Sequence, residues 1–337
     1  MHKVYKSYKI LAIFYFFLYI ITIAESALMI QQTLNTPPDF YTVNNDFIGA
    51  RDVRDSHEVV QFQNNSSIRI WHNEQDADFE LHWHTALEII MPIENHYDVV
   101  AKQISFHLMP NEILVIPSGE MHHVIAPDSG KRFIFLFDPS PFIKLKGFSG
   151  IQPLLSQPLY ITQSTYPLIY DDLFRLLNQM QNEYFHKNEF AELTIHSLLL
   201  NFFVILGRDH INTKNPFLNV RLHKQHEYIE KFNDLLDYID LHCTEDLVLD
   251  DLADMVGFSK YHFSRLFKQY TDFSFTDYVN YRRVKMAEKL LEQPELPVTD
   301  IALQSGFNSI STFNRLFRKV KNCTPSEYRS MNAYVHF

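Results

Sequence analysis

The C-terminal third of the chain carries the same short pattern twice, and this repetition limits the fold more than any other feature. Leu252-Ala253-Asp254-Met255-Val256-Gly257-Phe258-Ser259 is answered by Ile301-Ala302-Leu303-Gln304-Ser305-Gly306-Phe307-Asn308. After one extra residue in the second copy, Arg265-Leu266-Phe267-Lys268 aligns with Arg315-Leu316-Phe317-Arg318, and Tyr278 with Tyr328. Each copy reads as a short helix, a Gly-Phe turn and a longer helix. Glycine at the turn accepts the left-handed backbone that ends a helix. Ser259 and Asn308 are expected to cap the helices that follow. Phe263, Leu266, Phe267 and Tyr270 recur at i, i+3, i+4 and i+7, as do Phe313, Leu316, Phe317 and Val320. That is the stripe of a helix packed on one side. The opposite face is polar, with Tyr261, His262, Arg265 and Lys268 in the first copy and Ser311, Asn314, Arg315 and Arg318 in the second. A rigid helix with such a face fits the major groove of DNA, where side chains read base edges. An ordinary helical bundle accounts for one such hairpin, but much less readily for two that share a turn residue and a charged face.

Charge must agree with that reading, and over the whole chain it does not. Thirty Lys+Arg face 40 Asp+Glu, a formal net charge of -10. Locally the balance reverses. Lys260, Arg265, Lys268, Arg282, Arg283, Lys285 and Lys289 stand against Asp272, Asp277 and Glu288. From Ser309 to Lys321 there are basic residues and no acidic one. The acidic excess lies between Glu227 and Asp254, so a positive face with a negative back is expected to meet phosphate.

These segments resemble the paired helix-turn-helix domain of AraC/XylS-type transcription regulators. The resemblance covers residues from about 227 to 332. Its most specific stretch is Ile301-Ala302, Gly306-Phe307, Phe313, Phe317-Arg318 and Thr324-Pro325-Ser326-Glu327-Tyr328-Arg329. It implies that both longer helices enter successive major grooves, held apart by a linking helix at about 276–291. By position it makes Tyr261, Ser264 and Arg265, then Ile310, Ser311, Asn314 and Arg315, the base-reading candidates, with Lys260, His262, Lys268 and Arg318 beside them. Ile310 departs from the polar residue usual at that place.

Residues 68–138 read differently. Ser67–Trp71, Phe79–His84, Leu87–Ile93, Tyr97–Ala101, Ile104–Leu108, Glu112–Ile116 and Phe133–Phe137 alternate or are β-rich, with turn residues such as Met109-Pro110-Asn111 between them. Many short strands at close spacing predict an all-β sandwich or small barrel. Within it, His82-Trp83-His84 puts two imidazoles on one face of a strand. Glu88 follows, and His122 comes later, after Pro117-Ser118-Gly119. The pattern resembles the two motifs of the cupin barrel, although Asn111 and Ala126 depart from it. It makes His82, His84, Glu88 and His122 candidates to hold an effector or a divalent metal. Three imidazoles and a carboxylate suit Zn, Fe, Mn or Ni. The reading adopted is that they bond a ligand or the barrel wall, with no metal cofactor. His123 is expected to face outward.

Between the two regions, Leu173, Leu176, Leu177 and Met180 form one helical stripe, and Leu193, His196, Leu199, Leu200 and Phe203 another. The resulting fold is multidomain: an all-β cupin-like barrel (55–165), a helical connector (166–210), a linker (211–221), and an all-α double helix-turn-helix domain (222–332). The resemblance implies that the connector helices pair two copies of the chain, the alternative being that their stripes pack on their own barrel. Residues 1–28 stand apart. Lys3, Lys6 and Lys9 precede an apolar run from Ile10 to Ala24. A membrane anchor, an export signal and a translation start at Met29 are the readings, and the last is adopted.

Function follows as an expectation: a cytoplasmic, ligand-responsive, sequence-specific DNA-binding regulator. By resemblance it is an activator and a homodimer that works with RNA polymerase, and its effector is a small polar molecule such as a sugar. With 8 glycines, no GxGxxG and no GxxxxGK[ST], the sequence argues against a Gly-rich phosphate-cradling enzyme. Cys243 and Cys323 offer no disulfide framework. A metal-dependent cupin enzyme and a membrane-tethered regulator are the alternatives. A plain cupin enzyme has no use for the C-terminal repeat.

Overall fold

A computed structural model describes residues 52–332 except 55, 63–65, 75–77, 144, 215–220 and 322. The apolar segment 1–28 and the choice between Met1 and Met29 lie outside the described residues. The chain starts with a hairpin of β1 (Asp52–Arg54) and β2 (His57–Val59). Next come β3 (Ile68–Asn73), β4 (Phe79–His82), β5 (Leu87–Glu94), β6 (Tyr97–Ala101), β7 (Ile104–Leu108), β8 (Ile113–Ile116), β9 (His122–Ile125), β10 (Lys131–Phe137) and β11 (Leu159–Ile161). Strands β3 to β11 form two antiparallel sheets, in the orders β11-β8-β5-β10-β3 and β4-β9-β6-β7. Inward-facing Trp71, Ile90, Leu114, Ile134 and Leu136 from the first meet Phe79, Tyr97, Val99 and Val124 from the second. The expected all-β domain is therefore present. Its two sheets pack face to face without hydrogen-bonding into one closed barrel.

Two helices cover this domain. After the short α1 (Ser140–Ile143), α2 (Tyr170–His186) buries Leu173, Leu176, Leu177 and Met180. Then α3 (Ala191–Lys214) buries Ile195, Leu199, Phe202, Phe203 and Leu206. It is apolar and long enough to cross a bilayer, but here it contributes to the core: Phe203 meets Phe142 and Phe148 edge-on. His196 bonds the Ser67 hydroxyl at 2.8 Å. Most of the two stripes is thus covered by the chain itself, while Leu193 and the nearby Phe190 are exposed. The expected linker is partly helical, because α3 runs on through Lys214, whose ammonium pairs with Asp272 at 2.9 Å.

The rest is helical: α4 (Leu222–His242), α5 (Leu249–Val256), α6 (Lys260–Thr271), α7 (Phe275–Leu291), α8 (Val298–Gln304), α9 (Ile310–Lys321) and α10 (Pro325–Asn332). One core joins Phe232, Leu236 and Ile239 to Leu252, Val256, Phe263, Leu266 and Phe267. A second joins Ile301, Ala302, Phe307, Phe313, Phe317 and Tyr328. Helix α7 serves both, giving Tyr278 and Val279 to the first and Val284, Ala287 and Leu291 to the second.

Candidate nucleic-acid interface and sensor site

Each half of the repeat is a helix-turn-helix. Gly257 and Gly306 carry φ of 77° and 85°, the left-handed turn that the sequence requires. The caps differ from expectation. Ser259 has extended backbone at the start of α6, but its hydroxyl makes no capping bond. In the second copy the cap is Ser309, not Asn308: its Oγ accepts from the Thr312 amide at 3.4 Å. The inserted Asn308 is the residue that shifts the alignment by one.

Because α6 and α9 bury their aromatic stripes, the opposite positions face solvent. Lys260, Tyr261, His262, Ser264, Arg265 and Lys268 are all exposed on α6, and Ile310, Ser311, Asn314, Arg315 and Arg318 on α9. Tyr261 is 88% exposed, the most of any large hydrophobic side chain on either helix. Lys260 reaches back to Asp250 at 2.7 Å across open surface. Such a pair contributes little and exchanges readily for phosphate.

Several residues of the local charge argument serve structure instead. The Arg282 guanidinium lies 2.6 Å from Asp240, whose carboxyl burial pushes up to about 6 despite that arginine. Arg283 donates to the carbonyls of Cys243 and Glu245, at 2.7 and 2.8 Å. Lys285 and Lys321 both pair with Glu288, Lys285 at 3.1 Å. The positive surface is therefore smaller than the residue tally suggested, and it is concentrated on the two outer helix faces.

In the β domain, the four candidate ligands converge. His82 on β4 pairs directly with His122 on β9, and their rings lie 4.1 Å apart. Glu88 on β5 presents Oε2 to His84 Nε2 at 2.8 Å and to His122 Nε2 at 3.0 Å. One ligand atom from each of the four lies within 4.8 Å of the others, and all four residues are buried. Burial alone would raise the Glu88 carboxyl, but His122 and His84 outweigh it and hold the group well below its ordinary range. The space beside His82, His84 and Glu88 is about 10 Å³. That is room for one water-sized guest and not for a sugar. Glu58 of β2, 3.4 Å from His82 Nε2, lines the same space. Sequence reasoning missed it because it lies on a strand outside both motifs. His123 is half-exposed, as expected.

Trp83 was also missed. Strand alternation turns it away from its two histidine neighbours, and it stacks on Tyr328 of α10 at 4.8 Å, inside the second helical core. Between the domains lies a cavity of about 580 Å³, lined by Phe62, Phe142, Phe203, Tyr281, Arg282 and Lys285 among others.

Comparison with known proteins agrees with this geometry. The family described as "Helix-turn-helix domain" matches residues 252–331. The "Probable transcription factor PqrA" of Proteus vulgaris is 37% identical over 99 residues, 29% of this chain and 81% of that protein. The chain belongs to the AraC-type family of helix-turn-helix transcription regulators. An AraC-type DNA-binding-domain protein from Chromobacterium violaceum has 33% identity, with 31% of this chain and 93% of that one covered and a TM-score of 0.29. ToxT of Vibrio cholerae, in a fatty-acid-bound crystal structure, aligns over 80% of this chain and 98% of its own, at 14% identity and a TM-score of 0.39. "Uncharacterized HTH-type transcriptional regulator" proteins of Staphylococcus aureus are 29% identical over 170 residues. This AraC-type chain spans 22% of their length.

Proposed function

We propose that the protein regulates transcription by sequence-specific binding of double-stranded DNA through α6 and α9, under control of a ligand held by its β domain. One observation carries the reading: in both copies the apolar stripe is buried while the equivalent polar positions, Arg265 and Arg315 among them, stand free at the surface. Arginine to guanine is the commonest specific contact in the major groove. The two faces supply base contacts, and Lys260, Lys268 and Arg318 supply phosphate contacts. A small organic effector of sugar size finds no room at the His/Glu cluster, whereas the cavity between the domains can hold one. By family resemblance the chain works in the cytoplasm as a homodimer, and activates transcription together with RNA polymerase. Exposed Phe190 and Leu193 leave a small apolar area on the connector for a second copy. Regulation is the activity, and no enzymatic step is invoked.

The test is selection of bound sequences from random DNA by the full chain, followed by affinity measurement on the selected site. Arg265→Ala and Arg315→Ala should each relax base choice at one position, at a cost of roughly 1–3 kcal/mol. Unchanged affinity and unchanged base choice in both variants would remove these faces from the reading.

A further inference from the structure

A second cavity, of about 470 Å³, opens where the β domain meets both halves of the repeat. Its volume is that of a small-molecule pocket. Three separate parts of the chain each send one exposed lysine to it: Lys102 from the turn between β6 and β7, Lys268 from the last turn of α6, and Lys319 from α9. None of the three forms an ion pair among the described residues. Lys102 Nζ donates to the Ser156 carbonyl at 3.3 Å, a neutral acceptor that steadies the ammonium without cancelling its charge. The aspartates on the same walls are engaged: Asp272 pairs with Lys214, and Asp277 accepts from the Ser274 hydroxyl at 2.6 Å. The deeper Lys285 and Lys321 share Glu288. In a chain of net charge -10, unpaired ammoniums gathered in one cleft concentrate positive potential there.

The turn that carries Lys102 is built against local preference. Ala101 pairs with Ile104, so the hairpin loop has two residues, and both are left-handed, Lys102 at φ 52° and Gln103 at φ 63°. Asn and Gly take such positions most readily. A lysine and a glutamine there carry strain. Turn chemistry does not call for an ammonium at this place, whereas the cleft does. An anion with several oxygens accepts from several ammoniums at once, and the flexible lysine stems let them close on it. A second polar group points to what accompanies the anion. Glu120 lines the same cleft, and its Oε1 is buried without a hydrogen-bond partner. A carboxylate oxygen accepts, so it suits a guest that also carries a hydroxyl. The half-buried Asn280 on α7 adds a neutral polar group to the wall.

We propose that this cleft binds a phosphorylated sugar, free or as part of a nucleotide, with Lys102, Lys268 and Lys319 on the phosphate and Glu120 accepting from a sugar hydroxyl. The proposal rests on the regulator reading above and names the class of ligand that its β domain shares with the two reading helices. Lys268 lies on the polar face of α6, where it serves DNA phosphate in that reading. It cannot hold both anions. A phosphate in the cleft also neutralises Lys319 beside Arg318 on α9, so fewer counterions are released when DNA is bound. The ligand therefore prefers the chain without DNA over the chain with it. That difference in affinity is what coupling requires, and it works in both directions.

The test uses the full chain and titration calorimetry with glucose 6-phosphate, ribose 5-phosphate and AMP, each against its dephosphorylated counterpart. The expected result is saturable binding of one phosphorylated compound per chain, weaker at higher salt, with no heat from glucose, ribose or adenosine. Binding of a sugar phosphate alone assigns the free sugar, and binding of AMP alone the nucleotide. Lys102→Asn removes the ammonium and relieves the turn, so it should keep or raise the melting temperature. It and Lys319→Gln should each weaken binding by about tenfold or more. Lys289→Gln, on the wall of the larger cavity, should leave binding unchanged. No saturable binding of any phosphorylated compound overturns the site, and so does equal binding of the dephosphorylated ones. Loss in Lys289→Gln with Lys102→Asn and Lys319→Gln unaffected overturns it as well. For the coupling, saturating ligand should weaken affinity for the selected DNA by about fivefold or more, and Lys102→Asn should abolish that effect. If Lys102→Asn and Lys319→Gln instead weaken DNA binding of the ligand-free chain, the cleft belongs to the DNA backbone and the proposal falls. A chain that binds the phosphorylated compound but no DNA removes the regulator reading and leaves the site standing.

Discussion

Gly257 and Gly306 occupy equivalent turns with nearly equal φ, yet their surroundings differ. A Cβ at Gly257 meets nothing within 4 Å, whereas at Gly306 it falls 2.6 Å from the Thr244 Cα and 2.7 Å from its carbonyl oxygen. Gly257→Ala should therefore cost only the left-handed backbone penalty, about 1 kcal/mol. Gly306→Ala adds a collision with backbone that cannot swing aside, for a total of roughly 2–4 kcal/mol. Urea unfolding of the two variants checks this, and equal losses would contradict it. The need for glycine at both turns is legible in the sequence, since it follows from local chain geometry. The close approach of Thr244 is not, because that residue belongs to a different helical hairpin. For the same reason Arg265 and Arg315 could be assigned to a surface by periodicity alone, while Arg282, Arg283 and Lys321, which look alike in composition, turned out to be anchored to other parts of the chain.

Among the elements, α7 was expected only to hold two reading heads apart, and its Glu288 does more. Burial alone would raise this carboxyl, but Lys285 and Lys321 outweigh it and hold the group at about 2. Lys321 is pushed down to about 8, by burial first and then by Lys285, in spite of Glu288. Two ammoniums share one carboxylate where the β domain meets α9 and α10. The folded value lies below the ordinary 4.5, so the stabilisation is present in full above about pH 4.5 and is lost as pH falls towards about 2. At about 1.4 kcal/mol per unit it is on the order of 3 kcal/mol. Glu288→Gln should thus lower the melting temperature at neutral pH and show a flatter acid limb than the parent chain. Parallel acid limbs would show that Glu288 is not the responding group. No sequence pattern announces this triad, since its members are brought together by the packing of α7 against α9 and α10 and by the docking of the β domain. Strands β9 and β11 were missed in a related way: His122–Ile125 and Leu159–Ile161 become strands by pairing with β4, β6 and β8. The strands from β3 to β8 and β10 were recovered nearly to their ends.

At the scale of the molecule, the β domain and the helical domain share a core, because Trp83 belongs to the same apolar cluster as Phe307, Phe313 and Tyr328. The first helix-turn-helix is held differently. Its α4 meets the β domain through polar contacts, Asp237 with Ser149 and Asp234 with Lys146, at the rim of the structure. Its own core of Phe232, Leu236, Phe263 and Phe267 takes no side chain from the strands. The two reading heads should therefore respond unequally when the sensor is cut away. A piece beginning at Arg221 keeps both exposed faces and should still bind DNA, more weakly than the full chain and with affinity falling steeply as salt rises. Loss of Trp83 exposes part of the second core but little of the first. Amide exchange in that piece should accelerate in α8, α9 and α10 relative to the full chain, and change much less in α5 and α6. Footprinting should likewise show the half-site read by α6 protected more strongly than that read by α9. Equal acceleration in both halves would mean that Trp83 contributes nothing particular to the second, and that the two domains merely touch where the structure joins them through Trp83 and Tyr328.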